Sequence, residues 1–177
     1  RFLGRLMRIY QITGLQTAIR KSGFLRLLPK SLRELEPLTP TISPKFTQAH
    51  FKQLPNSHST KYRVGLISGC IQDIAFSEIN ADTIYVLQKN ECEVVLPQAQ
   101  VCCGSLHGHN GEIETAKELA RKNIDAFNAE TLDVIITNAG GCGSHLKQYD
   151  HLLSDDPNYA QRAKIWSSKV KDIHEFL

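Results

Sequence analysis

No acidic residue occurs before position 34, no Cys-x-x-Cys occurs anywhere, and no apolar run approaches the roughly 20 residues of a membrane span. Each absence excludes something. Without acids, residues 1–33 carry eight Lys and Arg with nothing to offset them, whereas the remainder holds 13 bases against 18 acids. The overall charge of +3 therefore conceals a basic leading segment on an acidic body. Such a segment suits a solvated helix face, an acidic partner or an anionic membrane surface, and no nucleic-acid partner is expected. Lack of Cys-x-x-Cys removes the usual thiol–disulfide redox motif. Gly-x-Gly-x-x-Gly and Gly-Lys-Ser/Thr are missing too, which argues against nucleotide binding. No secretory leader is visible, and five cysteines, an odd number, do not make a disulfide framework. A reducing, cytoplasmic setting is expected, with peripheral attachment at the inner face of the cell membrane as the membrane role left open.

What is present is ordinary globular composition: 177 residues, 41% hydrophobic and 22% charged, enough for one domain with a real core. The chain opens at Arg1, and its single methionine, Met7, falls inside an apparent helix, so it is read as a piece of a longer protein. Apolar residues at helical spacing run through 2–28, with breaks expected near Gly14 and Gly23. Pro29, Pro37, Pro40 and Pro44 punctuate a linker stretch that runs to about Thr60. Two regions are thus expected: a helical and Pro-rich inter-domain segment over 1–60, and a cysteine-bearing α/β domain over 61–177.

From Lys61 the pattern changes. Val64–Ser68, Val94–Leu96 and Val134–Thr137 read as short buried strands. Between them, Phe76, Ile79, Thr83, Val86 and Leu87 have helical spacing, and Ile113, Ala116, Leu119, Ala120, Ile124 and Phe127 make an amphipathic helix. Ala163, Trp166, Val170, Ile173 and Leu177 are expected to close the chain as one helix, with Trp166 in the core. Alternation of strand and helix implies a three-layer α/β fold on a parallel sheet.

Each strand leads to cysteine. Cys70 follows the first, the adjacent pair Cys102 and Cys103 follows the second, and Cys142 follows the third inside Gly140-Gly141-Cys142-Gly143. Ligands in such folds bind beyond the carboxyl ends of the strands, where these four thiols would gather. Thiolates are the soft ligands that iron–sulfur centres and zinc need. Cys92, before the second strand, is read as packing. His107 and His109 follow the double cysteine as candidates to line the site, against the plainer reading of a polar loop.

The motifs Ser68-Gly69-Cys70, Cys102-Cys103-Gly104 and Asn138-Ala139-Gly140-Gly141-Cys142-Gly143 resemble the cysteine-rich CCG domain of heterodisulfide reductases and related electron-transfer proteins. Tyr10–Gln16, Leu27-Leu28-Pro29, Ala120–Ile124 and Asp155–Ala160 are similar to the iron–sulfur subunit of glycolate oxidase, also called glycolate dehydrogenase. This resemblance covers essentially the whole chain. It implies an electron-transfer role, with a partner subunit that carries FAD, oxidises glycolate to glyoxylate and passes electrons towards a quinone-type acceptor. It further implies other domains of the same subunit, a 4Fe–4S cluster as cofactor, and Cys70, Cys102, Cys103 and Cys142 as cluster ligands. The fuller pattern of the CCG domain ends in Cys-x-x-Cys, whereas this chain has His145 at the last position, so His145 is a candidate replacement ligand. A structural zinc site used for docking in a related 2-hydroxy acid or glycerol-3-phosphate dehydrogenase complex, and a thiol–disulfide role for the Cys102 and Cys103 pair, are the alternatives.

Overall fold

In the computed structural model, which describes residues 2–53 and 60–177, β1 (Tyr62–Ile67), β2 (Cys92–Val95), β3 (Val134–Thr137) and β4 (Val170–Asp172) form a sheet in the order β2-β1-β3-β4. All three pairings are parallel. Arg1 and residues 54–59, the end of the expected linker stretch, lie outside the described residues. The helices among the described residues are α1 (Phe2–Ile12), α2 (Leu15–Ser22), α3 (Lys30–Leu35), α4 (Thr47–Phe51), α5 (Ile71–Ala75) and α6 (Ser77–Lys89). They continue as α7 (Ser105–His109), α8 (Ile113–Phe127), α9 (Gly140–Leu146), α10 (Tyr149–Leu152), α11 (Ala160–Lys169) and α12 (Ile173–Phe176).

Strand side chains alternate, and both faces are apolar, so the sheet is covered on two sides. Val64, Leu66, Val134 and Ile136 pack with Ile84 and Leu87 of α6, joined by Phe51 of α4 and Ile173 and Phe176 of α12. Ile67 and Ile135 pack on the other face with Ile124 and Phe127 of α8, Tyr149 of α10 and Trp166 of α11. The expected three-layer parallel α/β fold is what forms. Gly65 sits where β1 and α8 come closest: a Cβ there would stand 2.8 Å from Leu132 and 2.9 Å from Phe127.

The end of the chain corrects one expectation. The last helix stops at Lys169, and Val170–Asp172 becomes β4, pairing Ile135 with Val170 and Thr137 with Asp172. Beyond β1, the second edge of β3 would otherwise present unpaired backbone groups next to the core, and three residues suffice to satisfy it. Val170 stays buried in the strand as it would in a helix, so the apolar stripe does not distinguish the two. Asp172 then accepts a hydrogen bond from the His174 amide at 2.9 Å and starts α12.

The leading helices break at Gly14 (φ 78°) and Gly23 (φ 76°), the positions expected from the sequence. Glu36 ties the layer together, accepting from the Tyr10 hydroxyl at 3.0 Å, Gln16 at 3.3 Å and Arg20 at 3.0 Å. Residues 40–48 then dock on the body. Gln11 binds the Pro40 carbonyl and the Ile42 amide, the Ser43 amide donates to Ile74, and the Thr47 amide donates to Asp73 at 2.8 Å.

Candidate metal centre

The strand order reverses direction between β1 and β3, because β2 lies on one side of β1 and β3 on the other. A crevice at such a switch point is where open parallel sheets bind ligands. The three cysteine-bearing loops leave the sheet there. Cys70 follows β1 through Ser68 and Gly69, whose φ of +69° turns the chain into α5. Cys102 and Cys103 lie in the loop between β2 and α7, and Gly104 (φ +87°) begins α7 behind them. Cys142 sits in the first turn of α9, just past β3.

All five cysteines are free, and four of them gather at the strand ends: Cys102 and Cys142 pack against the core cluster that contains Cys103, and Cys70 and Cys102 line one cleft. Neighbours along this group shift one another's ionisation: Cys70 with Cys102, Cys102 with Cys103, and Cys103 with Cys142. Neighbouring thiols shift in opposite directions. Cys103 and Cys70, helped by the Gly104 amide at 3.5 Å, draw the Cys102 thiol well below its ordinary value. Cys142 is drawn down to about 7 by the neighbouring Cys103. Cys70 and Cys103 are pushed up, chiefly by Cys102, with Cys142 adding to the shift of Cys103. The four thiols do not all ionise together, since four adjacent thiolates would repel without added positive charge. Among the described residues, no three His, Cys, Asp or Glu side chains are arranged to hold a single metal ion. Metal binding by thiols releases the protons they carry. A donor set of four soft sulfurs whose full ionisation needs a cation fits an iron–sulfur or zinc centre.

His145 projects from α9 into the same region. Its buried Nε2 has no hydrogen-bond partner, and its ring packs against Gly108, where a Cβ would come within 3.2 Å. Burial, then the charge of His109, lowers its pKa, while Cys102 pulls in the opposite direction. His107 faces outward and pairs with Glu112 at 2.5 Å. Cys92 is buried against the opposite sheet face, apart from the other four, as its expected packing role requires. A cleft of about 400 Å³ opens beside the thiols, lined by Ser68, Gly69, Cys70, Gln98, Gln100 and Cys102. Neither Gly140 nor Gly141 has positive φ, and a Cβ on either would meet nothing within 4 Å among the described residues beyond its chain neighbours and its own helix backbone. A tight turn does not require them.

Buried amides fix the loops, and sequence reasoning overlooked them. Asn80 donates to Thr47 Oγ1 and to the Ser68 carbonyl, both at 2.9 Å, and accepts from Asn138 at 3.1 Å. Exits of β1 and β3 are thereby locked together. Gln100 does the same for β1 and the double-cysteine loop, accepting from the Ser68 amide at 2.9 Å. The available signal was position: Asn80, Thr83, Ile84 and Leu87 share one helix face, so an amide stood on a buried stripe.

Comparison with known proteins agrees with this geometry. Residues 64–147 match the family model of the CCG cysteine-rich domain, and residues 1–39 match the linker region of the glycolate oxidase iron–sulfur subunit. A probable glycolate oxidase iron–sulfur subunit of Bacillus subtilis (strain 168) is 47% identical over 173 residues, which is 97% of this chain and 39% of that protein. Lactate utilization protein A of Bacillus cytotoxicus, like that of Bacillus thuringiensis, is 33% identical over 115 residues, 65% of this chain and 47% of each relative. The chain therefore spans less than half the length of these relatives. No solved structure matches it. With the linker region, the cysteine-rich domain and the strand-end thiols all in place, the chain is similar over almost its whole length to an iron–sulfur subunit of glycolate oxidase, and residues 64–147 are its CCG cysteine-rich domain.

Proposed function

We propose that this chain is the part of a glycolate dehydrogenase iron–sulfur subunit that holds one redox centre on Cys70, Cys102, Cys103 and Cys142, with His145 as a further ligand. The observation that carries this reading is the gathering of four thiols from three strand ends, with Cys102 and Cys142 packed against the cluster that holds Cys103 and with Cys70 beside Cys102 in one cleft. A 4Fe–4S cluster bound there would accept and release single electrons. The chain's own residues do the rest. Cys102 and Cys142 supply sulfurs already inclined to ionise, and Cys70 and Cys103 give up protons on loading. The Gly104 amide points at Cys102 Sγ, a contact that raises a centre's potential by spreading sulfur charge. Electrons would come from an FAD-bearing subunit that oxidises glycolate to glyoxylate, and would leave towards a quinone-type acceptor. The bare apolar side of α1–α3 would meet other domains of the same subunit. Among the described residues no helix is long and apolar enough to cross a membrane, so the proposed cytoplasmic, peripheral placement rests on surface contact alone.

Anaerobic loading with iron and sulfide, followed by metal analysis and electron paramagnetic resonance, tests the centre. Cluster incorporation that Cys102→Ser and Cys142→Ser each reduce by more than about tenfold is the expected result. Zinc takes thiolate ligands too, with Zn–S bonds near 2.3 Å, and would need the four thiols to close in on it. Stoichiometric zinc with no iron uptake would replace the redox reading by a docking one.

A further inference from the structure

Between Leu96 and Gly104 the chain runs in no helix or strand, yet it carries two of the four thiols. Backbone groups of three consecutive residues there are held by two side chains from elsewhere. The Val101 amide donates to Asn123 Oδ1 at 2.9 Å, and Asn123 Nδ2 donates to the Cys102 carbonyl at 3.1 Å. The Tyr149 hydroxyl donates to the Cys103 carbonyl at 2.7 Å and accepts from Asn123 Nδ2 at 3.2 Å. An amide side chain has two donor hydrogens and one acceptor oxygen, and Asn123 commits all three to this loop or to the tyrosine that grips it.

Both residues are fully buried, so neither has water as a substitute partner. Asn123 lies on the apolar stripe of α8 with Ala116, Ala120, Ile124 and Phe127. Tyr149 is wedged in place: its ring stacks on Trp166 at 5.5 Å and meets the edge of His145 at 5.7 Å. A buried polar group on a core face costs stability unless its bonds do something a leucine would not. Here they hold consecutive peptide planes, and the plane on either side of a Cα fixes where its Sγ points.

We propose that Asn123 and Tyr149 are positioning residues that set the direction of the Cys102 and Cys103 thiols, a role that rests on these thiols forming the centre proposed above. Tyr149→Phe removes one oxygen and keeps the ring stack, so it leaves the core in place. Asn123→Leu is the second variant, keeping the branch at Cγ, with some added bulk, while deleting every bond to the loop.

Site-resolved alkylation of the metal-free protein with iodoacetamide, read by mass spectrometry with Cys92 as the internal control, is the first measurement. Tyr149→Phe is expected to raise labelling of Cys103 about tenfold relative to Cys92, and Asn123→Leu to do so for both Cys102 and Cys103. Near-ultraviolet circular dichroism confirms that Trp166 keeps its packed environment in each variant. After loading, both variants should give a shifted or broadened paramagnetic resonance spectrum, at unchanged iron content in Tyr149→Phe. Labelling ratios and spectra identical to those of the parent in both variants would overturn the proposal. If the parent takes up no cluster, the proposed function fails on its own, and the alkylation ratios still decide whether the pair orients the loop.

Discussion

The leading helices and the α/β body use similar apolar residues to opposite ends. Leu66, Ile84, Ile136 and Trp166 are fully buried, whereas Phe2, Leu3, Leu27 and Leu38 are each at least 74% exposed. The body has a sheet with two apolar faces, and each helix finds one to cover. The leading layer has no sheet, and its helices meet each other through polar anchors around Glu36, leaving their apolar side chains outward. Burial here follows from having a flat partner, not from hydrophobicity alone. Phe2, Leu3, Leu6, Ile9 and Ile12 of α1 alone are each about half exposed or more, an unusual number for one solvated helix.

The comparison breaks most easily in the body. Ile136→Ala removes a fully buried side chain from the central face and should cost about 2–5 kcal/mol, read by denaturant unfolding. Next comes the polar lock between strand exits. Asn80→Ala strands the Ser68 carbonyl and Asn138, and a loss of about 1–3 kcal/mol is expected. A loss no greater than that of an exposed substitution would show that the lock is dispensable. Gly140→Ala goes the other way, because helical φ and open space let the methyl in: the metal-free protein should gain roughly 0.5–1 kcal/mol. Loss of iron uptake in the same variant would show that a bound group approaches the bare backbone.

Smaller effects probe the leading layer. Burial tends to raise the Glu36 pKa, but hydrogen bonds from Arg20, Tyr10 and Gln16 prevail and hold it below the ordinary carboxylate value of 4.5. A depressed native pKa contributes stability that is fully present above the unfolded value and lost as pH falls through the native one. Hydrogen exchange in α1 and α2 should accordingly quicken as pH drops below about 4.5, once corrected for intrinsic rates, while β1 and β3 change little. Leu27→Ser should matter least, shifting the stability of the isolated chain by less than about 0.5 kcal/mol while reducing capture by the remainder of the subunit. Undiminished capture, combined with weaker flotation on anionic vesicles, would assign the surface to a membrane instead.

Much of this was legible in the residues. Strands β1, β2 and β3 are short β-rich runs bounded by glycine or proline, and their periodicity admits no competing reading of the sheet. The thiols could be placed at strand ends by counting alone. What escaped notice was the machinery that aims them. Asn80, Asn123 and Asn138 are polar, so on a helix or at a strand exit they read as solvated, and only tertiary packing makes them internal. Strand β4 escaped for a related reason: Val170 fits the stripe of Ala163 and Trp166, and the edge it completes belongs to residues 35 positions earlier. Of the residues at helical spacing in α6, Thr83 and Leu87 are buried, whereas Ile79 and Val86 are exposed and Asn80 and Ile84 face inward instead.

Strand order has a consequence for assembly in time. Cys70 and Cys142 meet only because β1 and β3 pair across 70 positions, and the double-cysteine loop arrives from the other side of β1. The adjacent pair apart, the unfolded chain offers no two of these thiols within 30 residues of one another, hence no local chelate to trap iron early. Non-local closure of this kind is a late event in folding. Loading of the centre would then act as a receipt for completed folding: a chain stalled before β3 joins the sheet would remain metal-free and distinguishable from a finished one.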